Sequence, residues 1–405
     1  MLDSIRDKNR PIGLQAEDPH VYELEEMFEF CQKYSEVYIY GAAYRQQMMY
    51  KLLQNSVTLK QIVKGFVVTC KSEEQKDDPT VFAYNEVMTK DNVGIILGLA
   101  DGYYRQIIPK FKKIGFTDYF VPTEWNKRTI AEQMTPRDPE YNSFEISLTD
   151  HCNMSCQMCD HYAQLSEPWF IRTETLDRDL SRMNELCDGK CAVITLLGGE
   201  PLLHPEIIKC LKIARKNFKD CPIILLTNGV ILLSKEHDEH GNIFQVCKDN
   251  NIIISITRYP IKLNYESIRE KCNEYGVTLY LSSDIHSAVP IEEAKISYKH
   301  TFTLEKDENN IYFPACHYYN HLGVVREGRY YMCPVQAHSG IFNKKFGQNL
   351  ELTEADSVDI YKVDSWEDIA KFQANRVPFC CYCDIKKWGV DSVWKPSTNK
   401  IEEYT

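Results

Sequence analysis

Three cysteines fall within eight residues in Cys152-Asn-Met-Ser-Cys156-Gln-Met-Cys159. Thiolates are soft ligands suited to iron–sulfur clusters and zinc. Such centres mostly take four protein ligands, so a group of three leaves one metal position open to an outside molecule. The competing readings are a structural zinc site, or buried thiols packed as small hydrophobes. A second constellation begins thirty-nine residues beyond Cys159, where Gly198-Gly199-Glu200-Pro201 closes the apolar run Val193–Leu197. Glycines let a backbone approach a ligand closely because no Cβ intervenes. A carboxylate beside them can accept a bond from an ammonium group.

A third constellation lies near the C-terminus. Cys316 is followed by eleven residues, Gly328, four residues and Cys333, and Cys380-Cys381-Tyr-Cys383 comes after a gap of 46. Two separated pairs can close on one four-thiolate centre, either an iron–sulfur cluster or a zinc ribbon. Cys380 and Cys383 have the C-x2-C spacing, which leaves Cys381 as an inert thiol or a hydrogen-atom donor. The remaining cysteines, including the Cys187/Cys191 pair, sit in apolar or amphipathic runs and read as structural thiols.

The elements that must position these residues follow from periodicity. Strand-like runs at 144–148, 192–197, 222–227, 252–257 and 277–281 alternate with helical patterns, which predicts a β/α barrel. In such barrels chemistry collects at the C-terminal ends of strands, where both main constellations stand. Asn228, Ser255 and Arg258 also lie at strand ends and are candidate binding residues. Val324–Met332 reads as a hairpin turning at Glu327-Gly328. Upstream, a helix over 20–34, strands near 37–40, 62–69, 93–99 and 117–121, and a helix over 103–114 predict a small parallel α/β domain. After its first strand only Gly41 survives of a dinucleotide fingerprint, with Ala43 and Gln46 in the other glycine places. That argues against bound NAD. The division expected is residues 1–122, a linker at 123–140, 141–300, and 301–405, the linker being read from three prolines and many polar residues over 122–140.

The spacing C-x3-C-x2-C with a downstream GGEP resembles the radical S-adenosylmethionine (SAM) family. The C-terminal pattern resembles the Twitch domain, a shortened SPASM domain, and the N-terminal part is similar to the small Rossmann-like domains fused to sugar-modifying and polysaccharide-pathway enzymes. The resemblance implies a partial (β/α)6 barrel. It implies a [4Fe-4S] cluster on Cys152, Cys156 and Cys159, with SAM on the open iron. Gly198, Gly199, Glu200, Pro201, Asn228, Ser255 and Arg258 are the implied SAM residues. An auxiliary [4Fe-4S] cluster on Cys316, Cys333, Cys380 and Cys383 follows from the Twitch likeness. The family commonly has an aromatic residue before the third cysteine, where this chain has Met158.

The implied chemistry is one-electron cleavage of SAM and hydrogen abstraction by a 5′-deoxyadenosyl radical, with an external donor such as flavodoxin or ferredoxin. A sugar-like small molecule is the expected substrate, oxidised from alcohol to carbonyl. Epimerisation, peptide modification of the SPASM type and a non-catalytic electron carrier or sensor are the alternatives.

Composition bounds the rest. A chain of 405 residues, 43% hydrophobic and 12% aromatic, can bury large cores. Its net charge of −11, without a basic block, speaks against a nucleic-acid surface. The first ten residues lack the apolar core of a signal peptide. No apolar run nears the ~20 residues of a membrane span, so a cytoplasmic protein is expected.

Overall fold

The computed structural model describes residues 19–282 and 296–405; the expected signal-free N-terminal decapeptide lies outside them. The chain divides into two compact units. One holds the described residues up to Thr135 together with Glu305–Cys316, and the other Pro136–Leu304 and His317–Thr405. No helix of the described residues is long and apolar enough to cross a membrane.

In the first unit, helix α1 (Pro19–Gln32) precedes β1 (Glu36–Tyr40), β2 (Val63–Val68), β3 (Val81–Ala83), β4 (Val93–Ile96) and β5 (Tyr119–Phe120). These form one parallel sheet in the order β3-β2-β1-β4-β5. The order reverses between β1 and β4, the place where such sheets open a ligand crevice. Here the buried Gln46 side chain reaches across to donate to the Gly98 carbonyl. A Cβ on Gly41 would lie 2.9 Å from Leu99 Cδ2, so the space beside that glycine is already filled. Residues 124–133, inside the expected linker, form a helix instead. Thr123 caps it by accepting from the Asn126 amide, and Ile130 and Ala131 are buried. The flanking prolines hid this short amphipathic pattern.

The second unit is built on an eight-stranded open sheet. Strands β6 (Ser143–Ser147), β7 (Val193–Leu197), β8 (Ile223–Thr227), β11 (Ile252–Thr257) and β12 (Leu279–Ser282) run parallel, neighbour to neighbour. Between β8 and β11 lies a two-residue ribbon, β9 (His237–Asp238) and β10 (Gly241–Asn242). Every residue of β7 is buried, as expected of a strand covered on both faces. Helix α2 (Thr173–Leu186) presents Leu176, Leu180 and Met183 to this core at helical spacing.

The expected hairpin forms, as β14 (Leu322–Arg326) and β15 (Arg329–Tyr331). Glu327 and Gly328 both have positive φ, 49° and 76°, the two-residue turn whose twist suits a hairpin. The hairpin does not stand apart. Strand β14 pairs in parallel with β6, so it extends the barrel sheet at its other edge, and β16 (Ser357–Asp359) follows β15. A separate ribbon joins β13 (Ile296–Lys299) to β17 (Gly389–Val393). The result is a partial, unclosed barrel of parallel strands with a mixed extension.

Candidate functional site

The parallel register brings the ends of β6, β7 and β8 side by side, because Ser147 faces Leu197 and Leu196 faces Leu225. The loop leaving β6 carries the cysteine triplet, and the loop leaving β7 carries Gly198–Pro201. The two loops are joined through the backbone. Gly199 N donates to Thr149 O at 2.9 Å, and Glu200 N donates to His151 O at 3.0 Å. A Cβ on Gly198 would sit 2.3 Å from Thr149 O, and one on Gly199 2.1 Å from His151 O. The paired glycines therefore admit the segment that leads into Cys152.

Glu200 is fully buried. Its Oε1 accepts from Leu202 N at 3.1 Å and Thr227 Oγ1 at 2.6 Å, and its Oε2 accepts from Asn228 N at 2.8 Å. Burial nevertheless raises its carboxyl to about 7. Asn228 in turn donates its side-chain amide to Asn153 Oδ1 at 2.7 Å and lies 3.7 Å from Cys152 Sγ. One carboxylate thus ties the β7 loop to the end of β8, and Asn228 passes that order on to the first cysteine. Pro201 is buried and opens a short 3-10 turn. Ser255 is buried, and its hydroxyl lacks a hydrogen-bond partner among the described residues. Arg258 is half-buried at the end of β11.

The three thiols are half-buried on one loop. Cys156 lies within electrostatic range of Cys152 and of Cys159. Met154 N donates to Cys152 Sγ at 3.3 Å, and the Tyr259 hydroxyl bonds Cys156. Burial pushes the Cys152 thiol up to about 12 and raises Cys159 as well. Thiolates in such surroundings call for a compensating metal charge. Among the described residues no three His, Cys, Asp or Glu side chains already converge as a metal polyhedron. The donor chemistry still fits a sulfur-ligated cluster: three soft sulfurs on one loop, with N–H and O–H donors aimed at them. Met158 takes a left-handed conformation, φ 57°, and is buried.

A buried polar network under this loop escapes any motif search. Asp160 pairs with His161 Nδ1 at 2.8 Å and accepts from the Tyr318 hydroxyl. Burial opposes both charges, yet each outweighs it for the other: Asp160 is held far below the usual carboxylate range and His161 is raised to about 10. Glu145 Oε2 stands 3.7 Å from His161 Nε2. The His161 ring lies 5.0 Å from that of His338, whose Nε2 is 3.1 Å from Ser147 Oγ. Burial, then the charges of His161 and Arg326, lowers His338 well below the usual histidine range. Arg326, the last residue of β14, grips Asp150 with two bonds of 2.5 and 2.8 Å and stacks 4.4 Å over the Trp169 ring. The adjacency of Asp150-His151 and Asp160-His161 to the outer cysteines was the one sequence signal for this network.

The C-terminal segment crosses the same loop. Gln157 N donates to Lys395 O at 3.0 Å, Ser397 N donates to Ser155 O at 2.9 Å, and Cys156 bridges to Pro396. Trp394 meets the Tyr259 ring at 5.7 Å.

In the second cysteine group, Cys333 opens a short helix at Pro334–Ala337, and the 3-10 turn Pro378–Tyr382 sets Cys380 and Cys383 one turn apart. The buried Tyr162 ring is within electrostatic range of Cys333 and Cys383. Tyr404 packs 5.4 Å from Tyr162 and is in range of Cys159. Cys381 is buried. Cys316 belongs to the other unit, at its last residue.

Comparison with known proteins gives the following. Residues 146–275 match the family described as the Radical SAM superfamily. GTP 3',8-cyclase of Paenarthrobacter nicotinovorans is 31% identical over 93 residues, covering 22% of this chain and 26% of that protein. The enzyme of the same name from Clostridium perfringens (strain SM101 / Type A) is 34% identical over 107 residues, covering 25% and 32%. The match thus spans about a third or less of these curated relatives. Among solved structures, BtrN in complex with AdoMet and 2-DOIA is 17% identical with a TM-score of 0.37, covering 66% of this chain and 98% of that one. Native anSMEcpe with bound AdoMet is 22% identical with a TM-score of 0.27, covering 34% and 42%. The matched family uses a [4Fe-4S] cluster and SAM. Over residues 146–275 this chain carries a domain of the radical SAM superfamily.

Proposed function

We propose that the protein is a radical SAM oxidoreductase that removes a hydrogen atom from a carbohydrate, polyol or nucleotide-sugar and oxidises an alcohol carbon to a carbonyl. In this reading Cys316, Cys333, Cys380 and Cys383 hold an auxiliary [4Fe-4S] cluster as the acceptor of the second electron. The observation that carries it is the placing of thiols about one ring pair. Cys159 is in electrostatic range of Tyr404, Cys333 and Cys383 are in range of Tyr162, and the two rings pack at 5.4 Å. Two soft-ligand groups about one ring pair suit one-electron exchange.

When bound, the first cluster and SAM supply a 5′-deoxyadenosyl radical. The chain's own residues bind and orient. Cys152, Cys156 and Cys159 would hold the first cluster. Gly198 to Pro201 shape the loop against them, and Glu200 fixes Asn228. The Ser255 hydroxyl, without a hydrogen-bond partner among the described residues, and the half-buried Arg258 stand toward the end of β11, suited to receive polar groups of SAM. The sugar-like substrate rests on the likeness of the N-terminal unit to domains of sugar-modifying enzymes. The same reading places the enzyme in the cytoplasm, where thiols stay reduced, with flavodoxin or ferredoxin as electron donor.

The test is anaerobic turnover of the reconstituted protein with SAM and a panel of polyols and nucleotide-sugars. We expect one 5′-deoxyadenosine per product, and a product about two mass units lighter, without label at the reacting carbon in D2O. A product of unchanged mass that gains one deuterium in D2O, and is lost in Cys381→Ala, would establish epimerisation instead.

A further inference from the structure

A groove in the second unit, between helix α2 and the turn of the β14–β15 hairpin, carries polar groups that the SAM reading does not use. It consists of two cavities, of about 310 and 520 Å³, that meet at Arg178 and Glu327. Both volumes fall in the range of about 300–1,000 Å³ usual for small-molecule sites. One carboxylate fixes the frame. Asp179, 1% exposed, accepts from Gly328 N at 2.9 Å and from the Tyr361 hydroxyl at 2.6 Å. Arg182 adds bonds to Ile360 O at 2.9 Å and Val363 O at 2.6 Å, so α2, the hairpin turn and the chain beyond β16 are held together. Arg172, Thr175 and Arg178 stand three residues apart at the start of α2 and share one face. Arg178 spends only its Nε, on the Tyr361 hydroxyl at 3.2 Å, with Asp179 Oδ1 3.7 Å from the same nitrogen. Among the described residues no hydrogen bond engages the Arg172 guanidinium, the Thr175 hydroxyl or the Glu327 carboxylate. Glu327 is 62% exposed and lies 3.8 Å from Arg326 Nε. Trp169 and Phe170 complete the smaller cavity.

We propose that this groove binds an anionic sugar, a hexose that carries a carboxylate or a phosphate. The lining asks for three features in one ligand. Two guanidinium forks suit an anion, since each can make two parallel charge-assisted bonds to carboxylate or phosphate oxygens. A lone anion would leave Glu327 facing like charge, whereas sugar hydroxyls donate to that carboxylate and accept from Thr175. The indole of Trp169 then packs against the C–H face of the ring, an apolar surface beside polar rims. In this arrangement Arg172 and Arg178 hold the anion, Glu327 and Thr175 read the hydroxyls, and no bond is made or broken. The site is additional to the SAM-binding loops and does not depend on the reaction proposed for them.

The test is calorimetric titration of anaerobic, cluster-loaded protein with glucuronate and glucose 6-phosphate, and with glucose, acetate and inorganic phosphate as controls. At least one anionic sugar should bind at a single site, roughly tenfold or more tighter than any control, and less tightly as salt rises. The tighter of the two identifies the anion as carboxylate or phosphate. Arg172→Gln and Arg178→Gln should each weaken that binding roughly tenfold. Phenylglyoxal labelling of the wild type locates the site: the bound sugar should protect Arg172 and Arg178 and leave the exposed Arg269 reactive. Glucose binding as well as the anionic sugars, or acetate or phosphate binding as well as they do, overturns the proposal. So does binding that leaves Arg172 and Arg178 unprotected, or no binding at all. The wild-type labelling map decides even if a variant fails to fold. It reads no SAM cleavage, so its failure leaves the proposed function standing.

Discussion

Glu200 shows how one side chain can set the order of a whole loop. Its carboxyl is raised from 4.5 to about 7 because burial outweighs its three donors. Between those two values the unfolded chain is ionised while the folded one keeps its proton. Stability is then fully present below about 4.5, falls as pH rises through 7, and is flat above. We predict that Glu200→Gln removes this slope, read as urea midpoints at pH 5 and pH 7.5; parallel curves for wild type and variant would sink the assignment. Gly199 makes a steric prediction. A Cβ there would meet His151 O at 2.1 Å and His151 C at 2.3 Å, both backbone atoms that cannot swing aside. Gly199→Ala should destabilise by about 1–3 kcal/mol, the usual range for overpacking, and should lower the iron retained after reconstitution. An unchanged urea midpoint in Gly199→Ala would contradict the packing argument.

Among elements, β14 matters most to the site. Its parallel pairing with β6 carries Arg326 to Asp150, two residues before Cys152. Both side chains are largely buried, 14% and 8% exposed. Removing one partner of a buried pair strands the other's charge, which costs about 3–5 kcal/mol. Arg326→Ala should show a loss of that order in denaturant unfolding. Arg326→Lys should recover only part of it, because an ammonium cannot make the two-pronged grip. A loss below about 1 kcal/mol, typical of exposed pairs, would mean that the anchor contributes little.

For the molecule as a whole, the prediction concerns metal content. Loading both proposed centres gives about eight irons per chain, four for each cluster. Replacing Cys152, Cys156 and Cys159 together by alanine should abolish 5′-deoxyadenosine formation and leave about four irons. Four irons and one zinc in the wild type would instead support a zinc ribbon at the C-terminal cysteines. SAM cleavage undiminished in the triple variant would overturn the role of the first loop.

The first loop was legible in the sequence as a candidate cluster site, because cluster ligation depends on spacing along a short segment. Cys152, Cys156 and Cys159 stand out by two intervals, and Gly198 to Pro201 by their place at the end of an apolar run. The parallel strands were legible for a similar reason, since burial on both faces leaves runs such as Val193–Leu197 uniformly apolar. The hairpin could be read from Glu327-Gly328, a local turn. Helix 124–133 could not, because prolines around it masked a pattern only ten residues long. What the tertiary structure decided is pairing across distance. It set β14 beside β6 rather than in a sheet of its own, and it turned the paired glycines toward Thr149 and His151. It spent the Glu200 carboxylate on Thr227 and Asn228. Each of these depends on strand order and register, which join residues dozens of positions apart, and no local pattern of residue types encodes which strands become neighbours.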